Sequence, residues 1–197
     1  MKVLRYRNQK KRDEIKEVVV VQAAITFLGE NAMFGRVGEM AKRRLNRLRR
    51  NWKSEFYSEV KDIAEHPVVL RMKLYHHHGS PNCYQHCMNV AYYNYQWCRF
   101  LHLDARSAAR AGMIHDLFLY DWHMHAKKTG DCFHGLTHPK KSYQNARKFF
   151  DLNHIEKDII LNHMWPVTFF KIPRTKEGWI TTLTDKYCGA CETSRRK

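Results

Sequence analysis

The sequence predicts an all-α protein. Beyond residue 54, apolar residues recur at three- and four-residue steps, the strict alternation of a half-buried strand is absent, and the periodic stretches break at Asn, Gly and Pro positions that start or stop helices. A chain of 197 residues that is 44% hydrophobic can bury one core. We therefore expect one compact helical bundle over residues 55–197 and a basic, partly helical extension over residues 1–54.

Residues 2–12 are polar and basic without an apolar period. From about Glu14 to Phe27 the chain is compatible with helix, until Gly29, Gly35 and Gly38 break the pattern. A helix over roughly 37–52 places Met40, Ala41, Leu45, Leu48 and Trp52 on one side and Lys/Arg residues around the rest. Ser54 starts a helix to Glu65, which His66-Pro67 interrupts because the residue before proline avoids the α region. A short helix from Val68 to Tyr75 leads into His76-His77-His78-Gly79-Ser80-Pro81. Consecutive histidines point in different directions and cannot all reach one ion, so this reads as a polar turn.

Asn82 caps a helix to about Leu101, whose expected buried stripe is Cys83, His86, Cys87, Val90, Asn94, Trp97 and Leu101. Leu103-Asp104 starts a helix with Ala105, Ala108, Ala109 and Gly112 in its first turns, small residues that let neighbouring helices approach closely. His115 and Asp116 emerge from it where it is most tightly surrounded. Residues 121–137 form a polar loop holding His123, His125 and His134. His138-Pro139 opens another helix, with Tyr143, Ala146, Phe149 and Phe150 on its apolar side. Asn153 caps the next, where Ile155, Ile159, Ile160 and His163 share a face, and Met164-Trp165-Pro166 ends it. The last helix, Glu177 to about Glu192, has Ile180, Leu183, Thr184, Tyr187 and Cys191 as its expected core side and Asp185 at the margin.

The formal net charge of +16 is uneven: residues 1–54 hold fifteen Lys/Arg against five Asp/Glu. Such a segment attracts nucleic acid, anionic lipid or a phosphorylated substrate, or is a solvated face. Without aromatic residues interleaved among the arginines, a helix docked by its Leu/Trp stripe is the reading we favour. The six cysteines do not make a disulfide framework and suit reduced thiols in a cytoplasmic protein. The apolar run Val18–Leu28 falls short of the roughly 20 residues of a transmembrane helix, and Asp13, Glu14 and Glu17 before it oppose a signal peptide. Cys188-Gly189-Ala190-Cys191 has no second cysteine pair and no βαβ context, which argues against zinc or redox chemistry.

His86, His115, Asp116, His138, His163 and Asp185 are the inward or helix-terminal ionisable residues, drawn from five helices. Burying them is costly unless a metal compensates, and mixed imidazole and carboxylate ligation suits Mn, Fe, Mg, Co or Zn. Here the chain resembles the HD-domain metal-dependent phosphohydrolases, helical bundles with an H…HD…D motif. The matching residues are His86 in Gln85-His86-Cys87-Met88-Asn89-Val90-Ala91, His115-Asp116 after Ile114, and Asp185 in Thr184-Asp185-Lys186-Tyr187, within roughly residues 66–192.

The resemblance implies hydrolysis of a phosphate ester or anhydride of a nucleotide or other small phosphorylated molecule, with His115 and Asp116 at the catalytic centre. Members with two metals add two histidines between the HD pair and the last aspartate. His138 and His163 match these in type and order, with His134 a rival for the first, and Asp116 would then bridge two divalent ions. Lys140, Lys141 and Lys186 are candidate cations for the phosphoryl oxygens, and Asp121 and His123 candidate orienters. The alternative is an HD-fold protein without turnover that senses a ligand or associates with nucleic acid through its basic extension.

Overall fold

The computed structural model describes residues 53–76, 82–121 and 134–194. The basic extension with its expected helix over 37–52, and likewise His77, His78, His123, His125 and Cys132, lie outside the described residues. Within them the elements run α1 (53–64), α2 (Pro67–Leu70), a 3-10 turn (Arg71–Leu74), α3 (Cys83–Phe100), α4 (Ala105–Ile114), α5 (His134–Ala146), α6 (His154–Asn162) and α7 (Lys176–Ser194). The described residues contain no strand, only an isolated bridge between His76 and Asn82. The all-α expectation holds, and no described helix is long and apolar enough to cross a membrane.

Local chemistry explains most boundaries. Asn82, Asp104 and Asn153 each accept, through their side chain, the backbone N–H three residues on, and Asn153 completes a capping box with Glu156. The expected helix over 68–75 is instead divided. The His66 ring caps α2 by accepting the N–H of Val68, Pro67 takes the first position, and the chain then tightens into the 3-10 turn. Pro139 does not open its helix either: α5 begins at His134, so Pro139 lies inside it. Near a helix start its missing N–H forfeits a single intrahelical bond, which is tolerated where mid-helix proline is not.

Helices α3 and α4 form the most intimate pair. Asn94, fully buried on α3, donates to the carbonyl of Ala108 at 3.1 Å and to Thr181 Oγ1 of α7 at 2.9 Å, tying three helices together. A Cβ on Gly112 would stand 2.9 Å from Ala91 Cα. So close a crossing admits only small residues, and Cys98 is buried against Ala108, Ala111 and Ile159. Trp97 and Leu101, expected inside, are 38% and 49% exposed for that reason. Phe149, expected on an apolar helix side, is likewise half-exposed and lies past the end of α5.

The larger core cluster joins α1, α2, α3 and α4 through Val60 and Ile63, Val69, Cys87 and Ala91, and Met113 and Ile114. Around it the described cysteines are free thiols. The last helix departs most from expectation. Leu183 is 67% exposed and Tyr187 37%, while Thr181, Thr182, Cys188 and Glu192 are buried. Helix α7 thus turns a polar face inward, and Asp185, expected at its margin, stands at the centre of that face.

Candidate metal centre

Five helices deliver the six ionisable residues to one place. His86 comes from the first half of α3, His115 is the C-cap of α4 with Asp116 following, His138 lies on α5, His163 is the C-cap of α6, and Asp185 comes from α7. All four imidazoles and Asp116 are buried.

The rings are oriented by what their Nδ1 atoms face. His115 Nδ1 is 2.8 Å from the carbonyl of Gly112 and His163 Nδ1 is 3.0 Å from that of Ile160, each three residues back. A carbonyl can only accept, so Nδ1 carries a proton and Nε2 is the ring atom turned inward. His86 Nδ1 lies 2.8 Å from Glu192 Oε2, and Asn89 Nδ2 steadies the other oxygen of Glu192 at 3.0 Å. This carboxylate is the site residue that the sequence reading missed. Its signal was available, because Glu192 follows Asp185 by two helical turns and so shares its face.

The inward atoms form two halves. On one side His86 Nε2 is 3.1 Å, and His115 Nε2 3.7 Å, from Asp185 Oδ1. On the other, His138 Nε2 and His163 Nε2 are 3.0 Å apart and lie 3.2 and 3.6 Å from Asp116 Oδ1. The second carboxylate oxygen of Asp116 faces His115 Nε2 at 3.6 Å. Asp116 therefore directs one oxygen to each half. Potential ligand atoms of His86, His115 and Asp185, and of His115, Asp116 and His163, all fall within 4.8 Å of one another.

The electrostatics say what this arrangement lacks. Burial alone would depress the pKa of His86 and of His115, but the carboxylates of Asp185 and Glu192 around the first, and of Asp116 around the second, hold both well above the ordinary value. Burial likewise opposes ionisation of Asp185, and the imidazoles of His115 and His86 keep it well below the usual carboxylate range. Burial and neighbouring His115 push His163 down to about 3, so it stays neutral at physiological pH. The carboxylates thus favour positive charge at this point of the pocket. A divalent cation fits the same need, and the buried His115 Nε2 has no hydrogen-bond partner among the described residues.

The other candidates fall around this core. Lys186 Nζ donates to the His163 carbonyl at 3.0 Å and lies 3.8 Å from Asp185 Oδ2. Lys141 instead sits over the ring of Tyr120, its Nζ 4.9 Å from the centroid. Lys140 and Asp121 are exposed, and His134 starts α5 with its side chain outside what is described. Cys83 and Cys87 are buried beside the centre, with Cys87 Sγ 3.7 Å from His115 Nδ1.

No curated protein and no solved structure gives a significant match to this chain. The family model described as HD domain, however, matches residues 83–190, more than half of the sequence, from the start of the helix bearing His86 to just beyond Asp185. Proteins of that family are typically metal-dependent hydrolases. The geometry and the match converge on one statement: the chain belongs to the HD-domain family.

Proposed function

We propose that this protein is a metal-dependent phosphohydrolase that cleaves an ester or anhydride of a nucleotide or other small phosphorylated molecule. In this reading His86, His115 and Asp185 hold one divalent ion, His138 and His163 hold a second, and Asp116 joins the two. The observation that carries it is the pair of carboxylate oxygens of Asp116, one turned to the Nε2 atoms of His138 and His163 and the other to that of His115. The metal, Fe, Mn, Mg, Co or Zn, supplies Lewis acidity and makes water nucleophilic near neutral pH.

The chain's own residues do the rest. Backbone carbonyls and Glu192 hold the rings, so the site is preorganised before substrate arrives. Lys186, tethered to the His163 carbonyl and 38% exposed at its side chain, presents a fixed cation where anionic phosphoryl oxygens would approach. Every proposed ligand lies in residues 86–185.

Metal removal tests the proposal. Chelator-stripped protein should lose hydrolysis of p-nitrophenyl phosphate and nucleoside phosphates and regain it with one of these ions. Turnover that survives complete stripping, or a protein that neither retains nor responds to any of them, overturns it. The raised pKa values of His86 and His115 add a sign: an incoming cation must displace their protons. Metal addition at neutral pH should therefore release protons, and affinity should fall as pH drops, both measurable by calorimetry in buffers of different ionisation enthalpy.

Glu192 gives a narrower prediction. Glu192→Ala leaves His86 Nδ1 without its carboxylate, so metal affinity should fall by about 10–100-fold with helix content unchanged. Competition with a fluorescent chelator measures this directly.

A further inference from the structure

The segment leaving the candidate centre is unlike the rest of the surface. Residues 164–175 join α6 to α7 and, with Lys176 at the start of α7, contain three cations, Lys171, Arg174 and Lys176, but no Asp or Glu. Within them Val167, Phe169, Phe170 and Ile172 are 57%, 69%, 95% and 52% exposed. Clusters of large apolar side chains left in water in this way mark an interaction surface.

The loop is firmly anchored. Thr168 and Pro173 are buried, and Asp158 accepts the backbone N–H groups of Arg174 and Thr175 at 2.9–3.1 Å. Trp165 packs edge-on against Trp179, centroids 4.9 Å apart, and the exposed Leu183 one turn later extends the apolar face onto α7. The two acidic residues that hold the loop's base are turned inward: Asp158 to those backbone groups, and Glu177 to the N–H of Asp104. The apolar tip and the three cations are thus held together on one anchored segment, with no acidic partner among the described residues.

We infer that this loop docks the protein on an anionic phospholipid surface. Phe169 and Phe170 enter the boundary between headgroups and acyl chains, while Lys171, Arg174 and Lys176 meet lipid phosphates, the division of labour of interfacial segments. Charge decides among occupants. A second copy of this chain, itself at +16, or its own residues 1–54 would bring like charge onto the loop, and lysine is depleted from the cores of protein interfaces. Docking there places the centre beside the membrane, because the loop begins at His163, whose carbonyl Lys186 holds.

Flotation of the full chain with vesicles tests this, comparing phosphatidylcholine alone with a 7:3 mixture of phosphatidylcholine and phosphatidylglycerol. The mixture should bind the protein. The double variant Phe169→Ser/Phe170→Ser, which leaves net charge unchanged, should weaken binding by at least about tenfold. The triple variant Lys171→Gln/Arg174→Gln/Lys176→Gln should abolish the preference for the anionic mixture. Unchanged helix content and metal retention establish that both variants are folded. The inference is overturned if wild type binds neither vesicle, or if the Phe variant binds as wild type does, which would assign binding to the basic extension. It is equally overturned if the Phe variant only dissolves a self-associated species, which would make the face a contact between copies. Hydrolysis of a soluble phosphate ester should be the same in both variants as in wild type, so failure here and failure of the proposed activity are separable.

Discussion

Replacing Asp116 by alanine is expected to remove hydrolysis and metal retention together, with activity reduced on the order of 10³-fold or more, the scale of losing a group that fixes transition-state charge. The reason lies in its two oxygens. Oδ1 serves the His138–His163 pair and Oδ2 faces His115, so one truncation disables both halves of the centre. On the proposed two-ion reading, His138→Ala touches one half only and should leave one ion bound in place of two. Elemental analysis of the two variants separates these outcomes, and equal metal content in both would contradict the shared role of Asp116. Thermal unfolding supplies a second readout. Metal stabilises the native state by mass action, so the metal-induced rise in Tm should disappear in Asp116→Ala.

Gly112→Ala should cost stability of about 1–3 kcal/mol, the usual penalty for overpacking a tight core. The new methyl would lie 2.8 Å from Asn94 Nδ2, 2.9 Å from Ala91 Cα and 3.1 Å from Ala91 N. The first neighbour could move only by breaking its bonds to Ala108 and Thr181, and the others are backbone. Helix α4 must therefore shift from α3. Because the Gly112 carbonyl receives His115 Nδ1, the displacement reaches the HD pair, and metal affinity should fall along with stability. Urea denaturation measures the first effect and chelator competition the second. Arg106→Ala is the matching control: its side chain is 66% exposed and, among the described residues, paired with Glu59 across the surface, so its change should stay within about 0.5 kcal/mol.

Helix boundaries were legible where they depend on local chemistry. Asn82 and Asn153 cap the helices they were expected to cap, and Asp104 caps the one it was expected to start, since an Asx side chain reaches only the N–H groups just beyond it. Proline proved ambiguous: Pro139 looked like a helix start, yet the same residue is tolerated inside the early turns of α5. Face assignments failed where the neighbour, not the helix, sets the rule. Leu183 looked like core because it is apolar at a helical step, but the centre requires α7 to turn Asp185 and Glu192 inward, which rotates Leu183 to the surface. Trp97 lost its expected place to Cys98 because α4 approaches too closely for an indole.

The sequence by itself determined the all-α class, the main helices and the kinds of residue at the centre. Helical periodicity and caps are encoded within a few residues, and histidines and aspartates in apolar surroundings demand compensation wherever they are buried. The tertiary structure alone decided what those residues do together. Distances between side chains on five helices, the ring orientations set by the carbonyls of Gly112 and Ile160, the support from Glu192 and the division of Asp116 between two halves all depend on how helices cross. Sequence spacing does not specify that crossing, which is set by the close approach at Gly112 and the three-helix tie through Asn94.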